Sequence, residues 1–269
     1  MRLSDLISQF DGFIIDQYGV LHDGAKPYPG AIAALEAINA AGKRAVLVTN
    51  SGKSAAANEQ RLAQFGFARE SYAALVSSGE AARVGIEDGA FGPAFAAGAK
   101  AHVIGRTGDD YGLDRFPLRP VDLAVADALL ILGSDAPRVS LEEYSQRLKP
   151  AAARNLPALC ANPDLLMLTR SGQQPAPGAI ARVYETLGGK VVYVGKPHAF
   201  IYAIAARAFA GVEPRRILAV GDSPLHDVEG AAGAGFATAL VKTGLGAGRD
   251  DDELRRAAPS APDFVLDGL

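Results

Sequence analysis

The chain has 269 residues, 49% of them hydrophobic and 21% charged, with a formal net charge of −3. That length allows one large or two modest domains with cores of their own, and the slightly acidic balance offers no field for nucleic acid or an anionic membrane surface. The single cysteine, Cys160, excludes an internal disulfide framework and fits a reducing compartment. No apolar run approaches the ~20 residues of a membrane helix and no signal-peptide pattern opens the chain, so a soluble, cytoplasmic protein is expected.

In chain order, Phe13-Ile14-Ile15 reads as a strand that ends on Asp16, after which Gly19 turns the chain. Ala31–Ala41 is a helix closed by Gly42. Arg44–Thr49 is a short continuous apolar run, the pattern of a strand buried on both faces. Ser54–Phe65 is a helix with Gly66 as its C′ cap. Ala73–Ser77 is a third strand, and a helix starts at Gly79. Ala101–Ile104 and Ala128–Leu132 are strands, Leu141–Asn155 a helix, Ala158–Ala161 a strand and Ala176–Leu187 a helix. Strands over Val191–Val194, Ile217–Val220 and Ala237–Lys242 follow, separated by helices over Phe200–Ala210 and Val228–Ala234. The charged, Ala/Pro-rich tail Ala247–Pro262 reads as a solvated helix and loop.

Strand and helix in alternation predict an α/β fold: a doubly wound, parallel, Rossmann-like core. A second α/β unit is inserted in it. The expected boundaries are 1–78 for the first part of the core, 79–187 for the insertion and 188–269 for the rest of the core.

Three segments that follow strand-like runs carry the chemistry. They are Asp16-Gln-Tyr18-Gly19-Val20-Leu21, Gly195-Lys196-Pro197 and Gly221-Asp222-Ser223-Pro224-Leu225-His226-Asp227. A carboxylate at the carboxyl end of a parallel strand sits where open α/β sheets bind ligands. Each also has a plainer reading. Asp16 could be a turn residue, Thr49 and Ser51 could cap the helix from Ser54, Lys196 could be a solvated loop lysine, and Asp227 could cap the helix from Val228. His22, His198 and His226 match no zinc spacing and read as polar loop residues, and His102 as structural. Gly244-Leu-Gly246-Ala-Gly248 reads as loop rather than as a dinucleotide fingerprint.

Together the motifs resemble the haloacid dehalogenase superfamily of phosphohydrolases, and within it the class IIA branch of nitrophenyl-, pyridoxal- and glycolate-phosphate phosphatases. Asp16-Gln-Tyr-Gly-Val-Leu matches the first motif, Thr49-Asn50-Ser51-Gly52 the second, Gly195-Lys196-Pro197 the third, and Gly221-Asp222 with Asp227 the fourth. The insertion between the second and third motifs, the segment Ala161-Asn162-Pro163-Asp164 and the Pro177-Gly178 turn resemble the class IIA cap. The resemblance implies that Asp16 attacks phosphorus to form an aspartyl phosphate. It implies Mg²⁺ held by the Asp16 carboxylate, the Tyr18 backbone carbonyl and the Asp222 carboxylate. Thr49, Asn50 and Ser51 would hold the phosphate, Lys196 would sit between nucleophile and phosphate, and Asp227 would orient Lys196 or a metal-bound water. In the cap, Asn162, Asp164 and Arg170 would contact the leaving group, beside Leu165–Leu168, of which at least two are expected in the cap core. The partner is a small phosphorylated substrate. Some relatives pair through their caps, which makes a homodimer the oligomer to test.

Position 18 departs from the pattern. Phosphatases of the family carry a second Asp there, which protonates the leaving group and activates water, a role worth about 10²–10⁴ in rate. A tyrosine hydroxyl can donate a proton but is a poor base near neutrality. Three readings stay open: a slow or specialised magnesium-dependent phosphatase, which is favoured; a carbon–halogen hydrolase of the haloacid dehalogenase type; and a catalytically weak binder of a phosphorylated ligand.

Overall fold

The structure, a computed structural model, describes residues 1–169, 172–257 and 259–269. Thirteen strands occur among them: β1 Gly12–Asp16, β2 Arg44–Thr49, β3 Ala74–Ser77, β4 Lys100–Ile104, β5 Arg119–Pro120, β6 Ala128–Ile131, β7 Pro157–Cys160, β8 Leu166–Thr169, β9 Gly172–Pro175, β10 Lys190–Tyr193, β11 Ile217–Gly221, β12 Ala237–Val241 and β13 Phe264–Leu266. No helix among the described residues is long and apolar enough to cross a membrane.

The chain divides into two compact units. The first holds Met1–Thr49, Asn58–Val76 and Lys196–Leu269. Its sheet has the order β13-β12-β11-β1-β2-β3. β1 runs parallel to both β11 and β2, with Ile15 opposite Val220 and Leu47. Every residue of β1 and β11 is buried, which is why these strands read as continuous apolar runs. The chain winds outward from β1 through β2 to β3 on one side, and from β11 through β12 to β13 on the other. The sheet therefore reverses direction between β1 and β11, and an open α/β sheet has its ligand crevice at the carboxyl ends of such a pair.

The second unit holds Asn50–Ala57 and Ser77–Gly195. Its own sheet has the order β10-β7-β6-β4-β5, all parallel, with β8 and β9 as a separate antiparallel hairpin. A cluster that includes Leu129, Ile131, Tyr144, Leu148, Ile180 and Tyr184 forms its core. Cys160 is buried there as a free thiol. The doubly wound α/β class expected from the sequence is the observed one.

Three expectations need correction. The strand expected over Val191–Val194 falls in the core by the boundary at 188, but it spans Lys190–Tyr193 and pairs with β7 in the second unit's sheet, and the crossing falls between Gly195 and Lys196. The other edge also differs, since Asn50–Ala57 packs with the second unit. The third outer strand of the core is instead β13, just beyond the tail Ala247–Pro262; the helix expected in that tail is there as Asp251–Ala257, and Val265 pairs with Leu240 past its end. Alternation shows that a strand exists but not which sheet accepts it.

Within the second unit the buried Tyr184 hydroxyl donates to the Leu156 carbonyl at 2.6 Å. Tyr184→Phe removes the donor and leaves the buried carbonyl without it. The expected cost is about 1–2 kcal/mol in denaturant unfolding; a loss within error of zero would show that the bond contributes nothing net.

Candidate active site

The first unit gathers four of the expected residues at the reversal point of its sheet. Asp16 closes β1, and Asp222 follows the last residue of β11. Lys196 opens the segment after the crossing, and Asp227 lies in the turn Pro224–Glu229. Lys196 Nζ donates to Asp16 Oδ1 and to Asp227 Oδ1, both at 2.6 Å, and all three groups are buried. Lys196 is thus not a solvated loop lysine. Thr49 closes β2, one residue beyond the partner of Asp16 in the register, and is buried. The helix Ala55–Gln64 is capped by Ser54, whose Oγ accepts from the Ala57 amide, so the cap reading of Thr49 and Ser51 does not hold.

Asp227 does not cap a helix either. Ser223 takes that role, its Oγ accepting from the His226 amide. The Asp227 carboxylate is held from two directions, by Lys196 on Oδ1 and by the Ser223 amide on Oδ2 at 3.0 Å. Gly221 makes the space: a Cβ there would lie 2.1 Å from the Asp227 carboxyl carbon. Tyr202, fully buried, donates its hydroxyl to the His226 carbonyl at 2.7 Å and so fixes the same turn from below.

Charge dominates this cluster. Asp16, Asp222 and Asp227 bring ligand oxygens within 4.8 Å of one another. One ammonium faces three carboxylates, so the fully ionised cluster carries two uncompensated negative charges in a buried place. Burial raises the Asp16 carboxyl well above its ordinary value against the pull of Lys196, and Asp227 and Asp222 add to the rise. Asp222 is pushed up to about 7, first by burial and then by Asp227. Burial works against the Lys196 ammonium, but the Asp16 and Asp227 carboxylates outweigh it and hold its pKa well above the usual lysine value.

The sequence reading missed what holds Asp222. The segment Gly244-Leu-Gly246, read as plain loop, forms a single turn that closes on the carboxylate. Leu245 donates its amide to Asp222 Oδ2 at 2.8 Å, and Thr243 Oγ1 donates to the Gly19 carbonyl at 2.6 Å. Gly19 and Gly244 both adopt positive φ, +91° and +55°, and a Cβ on either would come within 2.0 Å of Asp222 Oδ2. Only glycine permits that approach. The available signal was a glycine-bearing turn directly after a buried strand, Ala237–Val241.

Tyr18 is exposed, and among the described residues no hydrogen bond joins it to the acidic cluster. Its ring stands edge-on to His22, with centroids 5.7 Å apart, and lies over Gly24. Burial first, then the Asp23 charge, raises its hydroxyl above the usual tyrosine value. His22 is a polar loop residue as expected, and it is buried: its Nδ1 accepts from the Gly24 amide at 3.1 Å, and it packs on Phe65. Burial brings its pKa down to about 4, so it is neutral at pH 7 and its proton sits on Nε2.

The remaining expected contacts lie in the second unit. Asn50 Nδ2 donates to Asp164 Oδ1 at 2.8 Å, and the Asp164 amide donates to Asn162 Oδ1 at 2.8 Å. These three therefore brace one another. Ser51 Oγ accepts from the Lys53 amide at 3.3 Å. Of Leu165–Leu168, Leu165 and Leu166 are 52% and 58% exposed and stay out of the core, and Met167 is half-buried. Arg170, expected as a polar contact, lies outside the described residues.

The chain is similar to known proteins along nearly its whole length. A model described as haloacid dehalogenase-like hydrolase matches residues 13–115, and a second, HAD-hydrolase-like model matches 193–269. Human chronophin is 30% identical over 257 residues, covering 90% of this chain and 84% of its own. The chain belongs to the haloacid dehalogenase-like hydrolases. A crystal structure of a haloacid dehalogenase-like family hydrolase from Brucella suis 1330 superposes with a TM-score of 0.84 at 31% identity, over 100% of this chain and 98% of that one. Chicken glycerol-3-phosphate phosphatase is 27% identical over 98% of this chain and 91% of its own. The insertion between the second and third motifs is that of the class IIA branch.

As in any buried ion cluster, removing the single cation exposes the repulsion it masks. In metal-free buffer, Lys196→Met should cost about 3–5 kcal/mol in chemical unfolding. Asp227→Asn added to that background should recover part of the loss. Additive losses in the double variant would show that the two groups do not interact.

Proposed function

We propose that this hydrolase is a magnesium-dependent phosphatase of small phosphorylated metabolites, acting through an aspartyl phosphate on Asp16. The observation that carries the reading is the charge imbalance of the buried cluster. Three carboxylates with closely spaced oxygens face one ammonium, and with no histidine or thiol in the set they suit a hard divalent cation. The glycines let the loops approach Asp222 and Asp227 closely enough to fix both carboxylates in place. Asp16, Asp222 and the Tyr18 carbonyl would hold Mg²⁺, with Asp227 keeping Lys196 in place. Bound there, the ion supplies the positive charge that lets a carboxylate meet a phosphate.

The chain's own residues then have separate tasks. The Asp16 carboxylate attacks phosphorus, and the bond from phosphorus to the leaving oxygen breaks as that oxygen takes up a proton. Lys196 offsets the joint charge of nucleophile and phosphate. The Thr49 hydroxyl and the Asn50 amide would donate to the phosphate oxygens. Water then attacks the aspartyl phosphate, which restores Asp16 and releases inorganic phosphate. The named relatives support a phosphate monoester substrate, since chicken glycerol-3-phosphate phosphatase and a fission-yeast 4-nitrophenylphosphatase are both phosphatases by name.

Tyr18 stands where the proton donor is needed. It stays protonated at neutral pH, so it can give a proton but cannot take one from water. Its ring position beside His22 and Gly24 also leaves it outside the hydrogen-bonded cluster. Slow turnover follows. Carbon–halogen hydrolysis, which Tyr18 alone would favour, gives no role to the Asp222–Asp227 pair.

The decisive measurement is release of phosphate from p-nitrophenyl phosphate with Mg²⁺ and after chelation. Activity should need the metal, and Asp16→Asn should abolish it with the fold intact by circular dichroism. A wild-type rate in that variant, or chloride release from 2-haloacids without phosphate release, would sink the reading. Tyr18→Asp should raise kcat by about tenfold or more, because it restores an acid and base in one group. No gain, with metal binding preserved, would assign the proton transfer to the substrate or another residue.

A further inference from the structure

The carboxyl edge of the second unit's sheet holds a guanidinium with no anionic partner. Arg106 follows β4 by two residues, and Ser134 stands at the same edge after the neighbouring β6. Arg106 Nε donates to the Ser134 carbonyl at 3.3 Å, and Nη2 donates to the Ala136 carbonyl at 3.3 Å and to Met167 Sδ at 3.6 Å. All three acceptors are neutral. Among the described residues, Nη1 meets no acceptor and no carboxylate pairs with this side chain. The acidic neighbours are engaged elsewhere: Asp135 takes the Thr107 hydroxyl and Arg138, and Asp109 takes Lys53.

The loop that carries Arg106 is built to hold it still. The Tyr111 hydroxyl accepts the Arg106 amide at 2.8 Å. Gly105 and Gly133 give the ring its room: a Cβ on Gly105 would lie 2.7 Å from Tyr111 Cε2, and one on Gly133 only 1.9 Å from its hydroxyl. Side chain and backbone are therefore both pinned, and the side chain is half-buried. A fixed, uncompensated guanidinium at the carboxyl end of a parallel sheet is a site for an oxyanion. Its ordering entropy is already spent, so a ligand would gain most of the charge-assisted bond.

We propose that Arg106 is an anion-binding residue of the second unit, taking a carboxylate or phosphate oxygen. The anion is a small one held within the second unit alone, and the proposal stands apart from the phosphatase reading above.

The test uses the full chain and two probes: glycerate, which carries a carboxylate, and glycerol, which carries none. Binding is measured by calorimetry. Glycerate should bind and glycerol should not, and Arg106→Met should weaken glycerate about tenfold or more. Arg106→Lys, which keeps the charge but cannot reach both carbonyls at once, should restore part of the affinity, and melting curves check that both variants fold. No glycerate binding in the parent, or equal binding in the parent and Arg106→Met, overturns the proposal. Absence of phosphate release from every ester would reject the phosphatase reading while the calorimetry still decides on Arg106.

Discussion

The contact on which the rest of the first unit depends is Lys196 between Asp16 and Asp227. A buried ammonium needs carboxylates, and buried carboxylates this close need a cation. The fold supplies the encounter by ending β1 and β11 side by side at the reversal of the sheet. Neighbouring loops then fill the remaining demands: the Ser223 amide on Asp227, the Leu245 amide on Asp222, the Tyr202 hydroxyl on the carbonyls beneath. One ammonium does not balance the cluster, and that shortfall is what the proposed metal would meet.

Much of this was legible in the sequence, for a local reason. A strand buried on both faces must be apolar throughout, so the polar residue that ends it stands out. Asp16, Thr49 and Asp222 were found that way, and Lys196 by its place after an apolar run. What stayed hidden depends on partners far along the chain. Lys190–Tyr193 has the composition of a core strand, yet β7 and not β11 takes it as a partner. The three residues Phe264–Leu266 are too short to show a period. His22 is a loop residue as it reads, but nothing nearby announces that Phe65 and Gly24 bury it.

The family motifs also straddle the division of the chain. Thr49 belongs to the first unit and Asn50 to the second; Gly195 belongs to the second and Lys196 to the first. Within the second unit, Gly195 lies against Asn50, since a Cβ there would come 2.6 Å from Asn50 Oδ1. Asn50 and Gly195 are thus neighbours within the second unit. The motif residues serve the path of the backbone as well as the chemistry, and Asn50 shows it by spending its side-chain amide on Asp164.

Gly19 and Gly244 meet one carboxylate from separate loops, 225 positions apart in sequence numbering by difference of the two residue numbers. A methyl group on either one already forces Asp222 aside. The two positions therefore share one cost, the displacement of Asp222, which the pair incurs once, while each keeps the strain of its own positive φ. Selection acting on either glycine acts on both, so the distance between them along the chain gives no measure of their independence.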